Sequence, residues 1–132
     1  MILVDTSVWI DYLKGKTTEA ATEFLRLLDA GQPFGITSVI YQELLQGADS
    51  DTSFARLDKY LRTQRFFHLL DPLTSYREAA RLYYRCRRVG ITLRSTIDCL
   101  IAQTAIEHSL VLLHNDRDFD AIAKVAPELT LY

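Results

Sequence analysis

Short apolar runs alternate with longer stretches of helical periodicity along the whole chain. Met1-Ile-Leu-Val4 is apolar, contains β-branched residues and stops at Asp5-Thr-Ser, where Thr6 or Ser7 is the expected cap of a helix reaching Leu13. Thr17 or Thr18 precedes a second helical stretch, Ala20 to Ala30, with Phe24, Leu27 and Leu28 on one face and Gly31 as its stop. Phe34-Gly-Ile36 reads as a brief strand, and Thr37-Ser38 opens a helix from Val39 to about Gly47. The polar run Asp49–Ser53 leads into a helix over Phe54–Gln64, and Phe66–Leu70 is the third strand candidate. Pro72 is the expected start of a long helix that Gly90 ends, and Ser95 that of another over Thr96–His108. Leu110–Leu113 is a fourth strand, Phe119–Val125 a last helix and Leu129–Tyr132 a final edge strand.

Strands this short and this apolar, separated by helices, predict parallel βαβ units with both faces of the sheet covered. The expectation is one α/β domain over residues 1–132, with a central, mostly parallel sheet of four or five strands and helices on both faces. In such sheets ligands bind beyond the carboxyl ends of the strands, where strand order reverses. Asp5 and Asp116 each follow an apolar strand and fall at that kind of position.

Composition supports a single packed unit: 132 residues, 48% hydrophobic and 24% charged, with five Gly and three Pro, leave no low-complexity segment. No stretch approaches the roughly 20 apolar residues of a transmembrane helix, and the first residues lack the basic start and long apolar core of a signal peptide. A cytoplasmic protein without a membrane partner is therefore expected. Cys86 and Cys99 fall inside helical patterns and form no CxxC or Cys/His cluster, so they read as core thiols. His68, His108 and His114 show no zinc spacing, and no Gly-rich phosphate loop is present.

The chemistry lies in the carboxylates. Asp5 ends the first strand. Glu43 shares the i, i+3, i+4, i+7 face of Ile40, Leu44 and Gly47, which places an acid on a face expected to be buried. Asp98 shares a face with Ile101, Ala102 and Ala105, although Ser95-Thr-Ile-Asp98 also fits a capping box. Asp116 and Asp118 follow the fourth strand, with Asp118 a candidate N-cap and Asp116 the better ligand. Two carboxylates about 4 Å apart repel by roughly 4 kcal/mol at an effective dielectric near 20, so a gathered set must take up protons or cations. Hard oxygen donors favour Mg²⁺, with Mn²⁺ as a substitute. Thr6, Ser7 and Asn115 are candidate supporting groups, as partners of metal-bound water or phosphate or as plain caps.

The formal charge of −2, from 15 basic and 17 acidic residues, would argue against a nucleic-acid partner. Two bound divalent cations would turn it to +2, so net charge decides nothing. Arg77, Arg81, Arg85 and Arg88 recur along one helix, joined by Arg87 and Arg94 and interleaved with Tyr76, Tyr83 and Tyr84. The stripe reads either as a phosphate-tracking surface, with Arg81, Arg85, Arg88 and Arg94 the RNA-binding candidates, or as a solvated helix face.

Asp5-Thr-Ser, Glu43, Ser95-Thr-Ile-Asp98-Cys-Leu-Ile-Ala102 and Asn115-Asp-Arg-Asp-Phe119 together resemble the PIN domain, specifically the VapC toxins of type II toxin–antitoxin systems. The resemblance covers nearly the whole chain. It implies a Mg²⁺- or Mn²⁺-dependent endoribonuclease that cleaves cellular RNA, is held inactive by a cognate antitoxin and forms a homodimer. On this chain it implies Asp5, Glu43, Asp98 and Asp116 as catalytic metal ligands, with Asp118 a further ligand, and Trp9, Tyr12 and Tyr41 near a partner groove. A receiver-like signalling domain is the alternative of another class, but it needs an acidic pair after the first strand and a Lys after a late one; this chain has one acid there and no fitting Lys. A non-enzymatic interaction module, with the acids as caps and the arginines as a docking face, is the third reading.

Overall fold

The computed structural model describes residues 1–132. Five strands, β1 (Ile2–Val4), β2 (Phe34–Thr37), β3 (Phe66–Phe67), β4 (Val111–Leu113) and β5 (Thr130–Leu131), form one sheet in the order β3-β2-β1-β4-β5. Every neighbouring pair is parallel: Ile2 lies opposite both Phe34 and Val111, Ile36 opposite Phe66, and Leu112 opposite Leu131. The seven helices are α1 (Thr6–Leu13), α2 (Glu19–Asp29), α3 (Ser38–Gln46), α4 (Asp51–Leu61), α5 (Thr74–Arg88), α6 (Ile97–Glu107) and α7 (Arg117–Val125).

Both faces of the sheet are covered, because consecutive strand residues point to opposite faces and are buried alike. Leu3 and Val4 are both fully buried, as are Leu112 and Leu113 to within a few per cent. Trp9, Phe24, Ile40, Ile101, Phe119 and Ile122 complete the core from the helices, and Cys86 and Cys99 are buried thiols within it. Helix α6 is buried on most sides, from Cys99 through Ala105, so the element that carries Asp98 is held from several directions.

The strand order sets the position of the site. The chain leaves the central β1 towards β2 and β3 on one side, then crosses to β4 and β5 on the other, so strand order reverses between β1 and β4. The Asp5 N–H donates to the Leu113 carbonyl at 2.9 Å and ties the ends of those two strands together. This order differs from the 2-1-3-4-5 order of receiver domains.

Several local expectations are corrected. Helix α1 is capped by Asp5, not by Thr6 or Ser7: Asp5 is extended (φ −70°, ψ 158°) and its side chain accepts from the Ser7 N–H. Thr18 caps α2, one of the two caps expected there, whereas α4 runs over Asp51–Leu61 and not Phe54–Gln64, because Ser50 with Ser53 forms a capping box that starts it earlier. The third strand stops at Phe67 instead of running to Leu70, because residues beyond it bond to the end of α6. The His68 carbonyl meets His108 Nε2 at 2.6 Å and the Leu70 N–H donates to Glu107 at 3.3 Å. Helix α5 begins at Thr74 rather than Pro72, after a turn in which the Asp71 carboxylate accepts from the Leu73 N–H. The Ser95–Asp98 capping box does not form: Ser95 Oγ accepts from the Ile97 N–H at 3.1 Å, and Thr96 stands at the N-cap without a side-chain bond. Gly90, at φ +82°, ends α5 in the left-handed conformation that glycine adopts without strain.

Candidate metal centre

Asp5 reaches the site from the carboxyl end of β1. It is 4% exposed, and its Oδ2 accepts from the Ser7 N–H at 3.0 Å and the Ser7 hydroxyl at 2.6 Å. Its other oxygen, Oδ1, is buried without a hydrogen-bond partner. Burial pushes this carboxyl above its ordinary value, the Ser7 bonds oppose that rise, and Glu43 adds to it. A buried carboxylate oxygen with no donor is costly unless a cation meets it.

Glu43 comes from the middle of α3, where Ile40 and Leu44 pack into the core and anchor the helix. Thr37 caps that helix through a bond from the Ile40 N–H at 3.2 Å. Thr6, buried at the start of α1, donates to Glu43 Oε1 at 2.6 Å and fixes the orientation of the carboxylate.

Asp98 sits in the first turn of α6, with Asp116 and Asp118 at the start of α7. One oxygen from each of these three lies within 4.8 Å of the others. Asp116 is the N-cap of α7, accepting from the Asp118 N–H at 2.9 Å, so the cap is Asp116 and not Asp118. Asp118 is buried, 6% exposed, and its side chain turns back into the cluster. The Asp98 carboxyl is pushed up to about 7, first by burial and then by the charges of Asp5, Asp116, Asp118 and Glu43. All five sequence-expected acids are therefore electrostatically one group: Asp98, Asp116 and Asp118 in close contact, with Asp5 and Glu43 flanking them.

The supporting residues take more specific roles than capping. Thr6 orients Glu43 and Ser7 orients Asp5, while Ser7 Oγ also accepts from the Asn115 N–H at 2.9 Å. Asn115 Nδ2 donates to Asp11 at 3.1 Å, and Thr18 donates to the same Asp11 oxygen at 3.2 Å. Asp11 went unnoticed in the sequence. Its place four residues after Ser7, on the same face of α1, was the available signal.

Arg94 is also more specific than a member of a basic stripe. Its backbone N–H donates to Asp118 Oδ2 at 3.0 Å, its Nε to the same oxygen at 3.3 Å, and its Nη2 to Asp116 Oδ1 at 2.6 Å. A guanidinium therefore already takes up part of the negative charge. The helical arginines do not enter the cluster: Arg77 and Arg81 pair with Glu78, and Arg85 lies 3.8 Å from Glu128. Arg87 and Arg88 are exposed and carry no ion pair.

Beside Glu43 opens a groove of about 780 Å³ between α1, α3 and α4, walled by Ile10, Tyr12, Leu13, Leu44, Leu57 and Tyr60. Of the aromatic residues expected near a partner groove, Tyr12 lines it. Trp9 is fully buried in the core, edge-on to Phe24, and Tyr41 donates its hydroxyl to Asp58.

The donor set suits a divalent cation: five carboxylates, all hard oxygen ligands, one with an orphaned buried oxygen and two already bridged by a guanidinium.

A sequence model of the PIN domain matches residues 2–125. The chain is 37% identical over 126 residues to the VapC ribonuclease Mb1587 of Mycobacterium bovis, covering 95% of this chain and 93% of the relative. It matches ribonuclease VapC11 of Mycobacterium tuberculosis to the same extent. Among solved structures, VapBC2 of Rickettsia felis bound to a promoter DNA fragment superposes with a TM-score of 0.71 at 21% identity, covering all of this chain and 98% of that one. FitAcB of Neisseria gonorrhoeae superposes at 0.70 with 20% identity, covering 100% and 96%. At those identities the superpositions speak for the fold, and with the family match and the mycobacterial relatives the conclusion is direct: this chain belongs to the PIN-domain family, in its VapC group.

Proposed function

We propose that the protein is a divalent-cation-dependent endoribonuclease, the toxin of a toxin–antitoxin pair, and that Asp5, Glu43, Asp98, Asp116 and Asp118 form its active centre. The observation that carries the reading is the convergence of five carboxylates from four separate elements on the end of the sheet where strand order reverses, with one buried oxygen left unpaired. A fold does not gather that much like charge for stability, since each added carboxylate raises the cost of the others.

Mg²⁺, with Mn²⁺ as substitute, is the proposed ion; bound there, it supplies Lewis acidity for phosphodiester hydrolysis, activating water and offsetting charge on the phosphate. The chain's own residues provide the frame. Asp98, Asp116 and Asp118 form the tightest part of the ligand set, and Asp5 and Glu43 extend it towards β1 and α3. Thr6 and Ser7 hold those two carboxylates at fixed angles, so little reorganisation accompanies ion binding. Exposed Arg81 and Arg88, with Arg85, suit contact with RNA phosphates, which fixes the strand's path without reading its bases.

The relatives named VapC are ribonucleases, and a further structure that superposes on this chain, at a TM-score of 0.70 and 19% identity, is a toxin–antitoxin complex from Klebsiella pneumoniae. We extend both properties to this chain: RNA as substrate and a cognate antitoxin as the neutralising partner. The apolar groove that ends at Glu43 suits an antitoxin segment that covers the site. Cleavage of total RNA by the purified protein, with Mg²⁺, with Mn²⁺ and with EDTA, tests the activity. Discrete products that need metal and vanish in Asp98→Asn are expected; products that persist in EDTA or in the variant overturn the assignment.

A further inference from the structure

Arg94 is the only basic side chain that enters the acidic cluster, and it does so in an unusual way. Its main chain and its side chain bind the same acid: the backbone N–H and Nε both reach Asp118 Oδ2, and the end of the guanidinium spans to Asp116 Oδ1. The two acids it bridges belong to the trio whose oxygens lie within 4.8 Å of one another. Asp118 is almost fully buried, and the side chain of Asp116 is 25% exposed, whereas that of Arg94 is 60% exposed. The guanidinium thus covers the pair from the solvent side.

We propose that Arg94 is a tethered counter-ion that competes with the divalent cation for Asp116 and Asp118 and so sets the concentration at which the site fills. The inference rests on the metal reading given above. Three features of the contact make Arg94 a competitor and not a permanent part of the wall. The guanidinium end of the pair is open to solvent and carries a single charge, so a doubly charged ion arriving from solvent can displace it. The backbone N–H of Arg94 stays on Asp118 whatever the side chain does, so release of the guanidinium leaves that acid oriented. The guanidinium also reaches only two of the five acids and leaves Asp5, Glu43 and Asp98 without a cationic partner, whereas a compact ion at the centre serves more of them at once.

Competition from an intramolecular group raises the apparent dissociation constant by one plus the ratio of closed to open forms, here about five- to tenfold. The test is Mn²⁺ titration by calorimetry into EDTA-stripped protein, then buffer-exchanged, for the wild type, Arg94→Gln and Arg117→Gln. Arg117 is the control: exposed, next to Asp116 in sequence and of the same charge, but without an ion pair to the cluster. Arg94→Gln is expected to bind Mn²⁺ about five- to tenfold more tightly, and Arg117→Gln to change affinity less than twofold. Unchanged or weaker binding in Arg94→Gln overturns the proposal and makes Arg94 an orienting group. An equal gain in both variants overturns it in favour of general charge. Absence of Mn²⁺ binding in all three proteins overturns the metal reading itself.

Discussion

The protonation state of Asp98 changes within the neutral pH range. Burial and then the neighbouring acids push its carboxyl up to about 7 in the folded protein without metal, against an ordinary value of 3.8. Between those values the folded protein holds a proton that the unfolded chain has lost, so stability falls as pH rises through that window. Asp5 is raised as well and acts in the same direction. In EDTA the melting temperature should therefore drop from pH 5 to pH 8, saturating Mg²⁺ should remove most of the drop, and Asp98→Asn should lessen it, leaving the share of Asp5. Scanning fluorimetry across the pH series reads this directly, and a wild-type curve as flat as the variant's would count against it. Thr6 acts one step further from the reaction. Thr6→Val keeps the shape and removes the donor to Glu43, which should weaken Mn²⁺ binding or activity about 10- to 100-fold while circular dichroism stays unchanged. At this scale the sequence was informative about which acids matter, because each sits at a strand end or on an apolar helix face. It places Arg94 in the basic stripe as an RNA-binding candidate and gives no sign of its bridge to Asp116 and Asp118, which lie 22 and 24 residues further on in a different turn.

Elements were legible where periodicity was long, and less so where neighbours compete for the same backbone groups. Helix α2 follows its apolar spacing, and α5 does so from Thr74 onward, with Ala79, Leu82 and Cys86 buried. The cap of α1 was misread because Asp5, Thr6 and Ser7 are all good caps in a row, and only tertiary contact assigns Thr6 to Glu43 and leaves Asp5 to cap. The third strand was drawn too long because Leu69 and Leu70 continue the apolar run, while the bonds from α6 that end it are invisible in the local pattern. The β2–β3 edge also contains a steric demand that the sequence hides. A Cβ on Gly35 would lie 2.5 Å from the Phe67 ring and 2.7 Å from the Arg65 carbonyl, and that carbonyl is part of the backbone and cannot swing aside. Gly35→Ala should destabilise the protein by about 1–3 kcal/mol, measured as a lower urea midpoint with an unchanged slope. An unchanged midpoint would mean that β3 can shift away at no cost.

The molecule as a whole puts its charge where its chemistry needs it. The chain carries a formal charge of −2; five of its 17 acids gather at the β1–β4 end, and five of its 11 arginines lie on α5. If that face tracks RNA, Arg81→Glu combined with Arg88→Glu should weaken RNA binding in an Asp98→Asn background and reduce the salt slope by about 1 per lost phosphate contact, with Mn²⁺ affinity unchanged. Anisotropy titrations at several salt concentrations check this, and an unaltered slope would assign the stripe to solvent. The fold class and the parallel sheet were readable from the alternation of short apolar runs with helices. Strand order was not, since the reversal between β1 and β4 that gathers the acids is set by long-range packing.

A crystal structure of the protein grown with Mn²⁺ and measured for anomalous scattering would locate the ion in the carboxylate cluster or show that it is not held there. An anomalous peak is expected among Asp98, Asp116 and Asp118, at coordination distance from their oxygens and on the side facing Asp5. A map without a peak there at saturating Mn²⁺, or with Mn²⁺ bound only elsewhere, would contradict the metal reading.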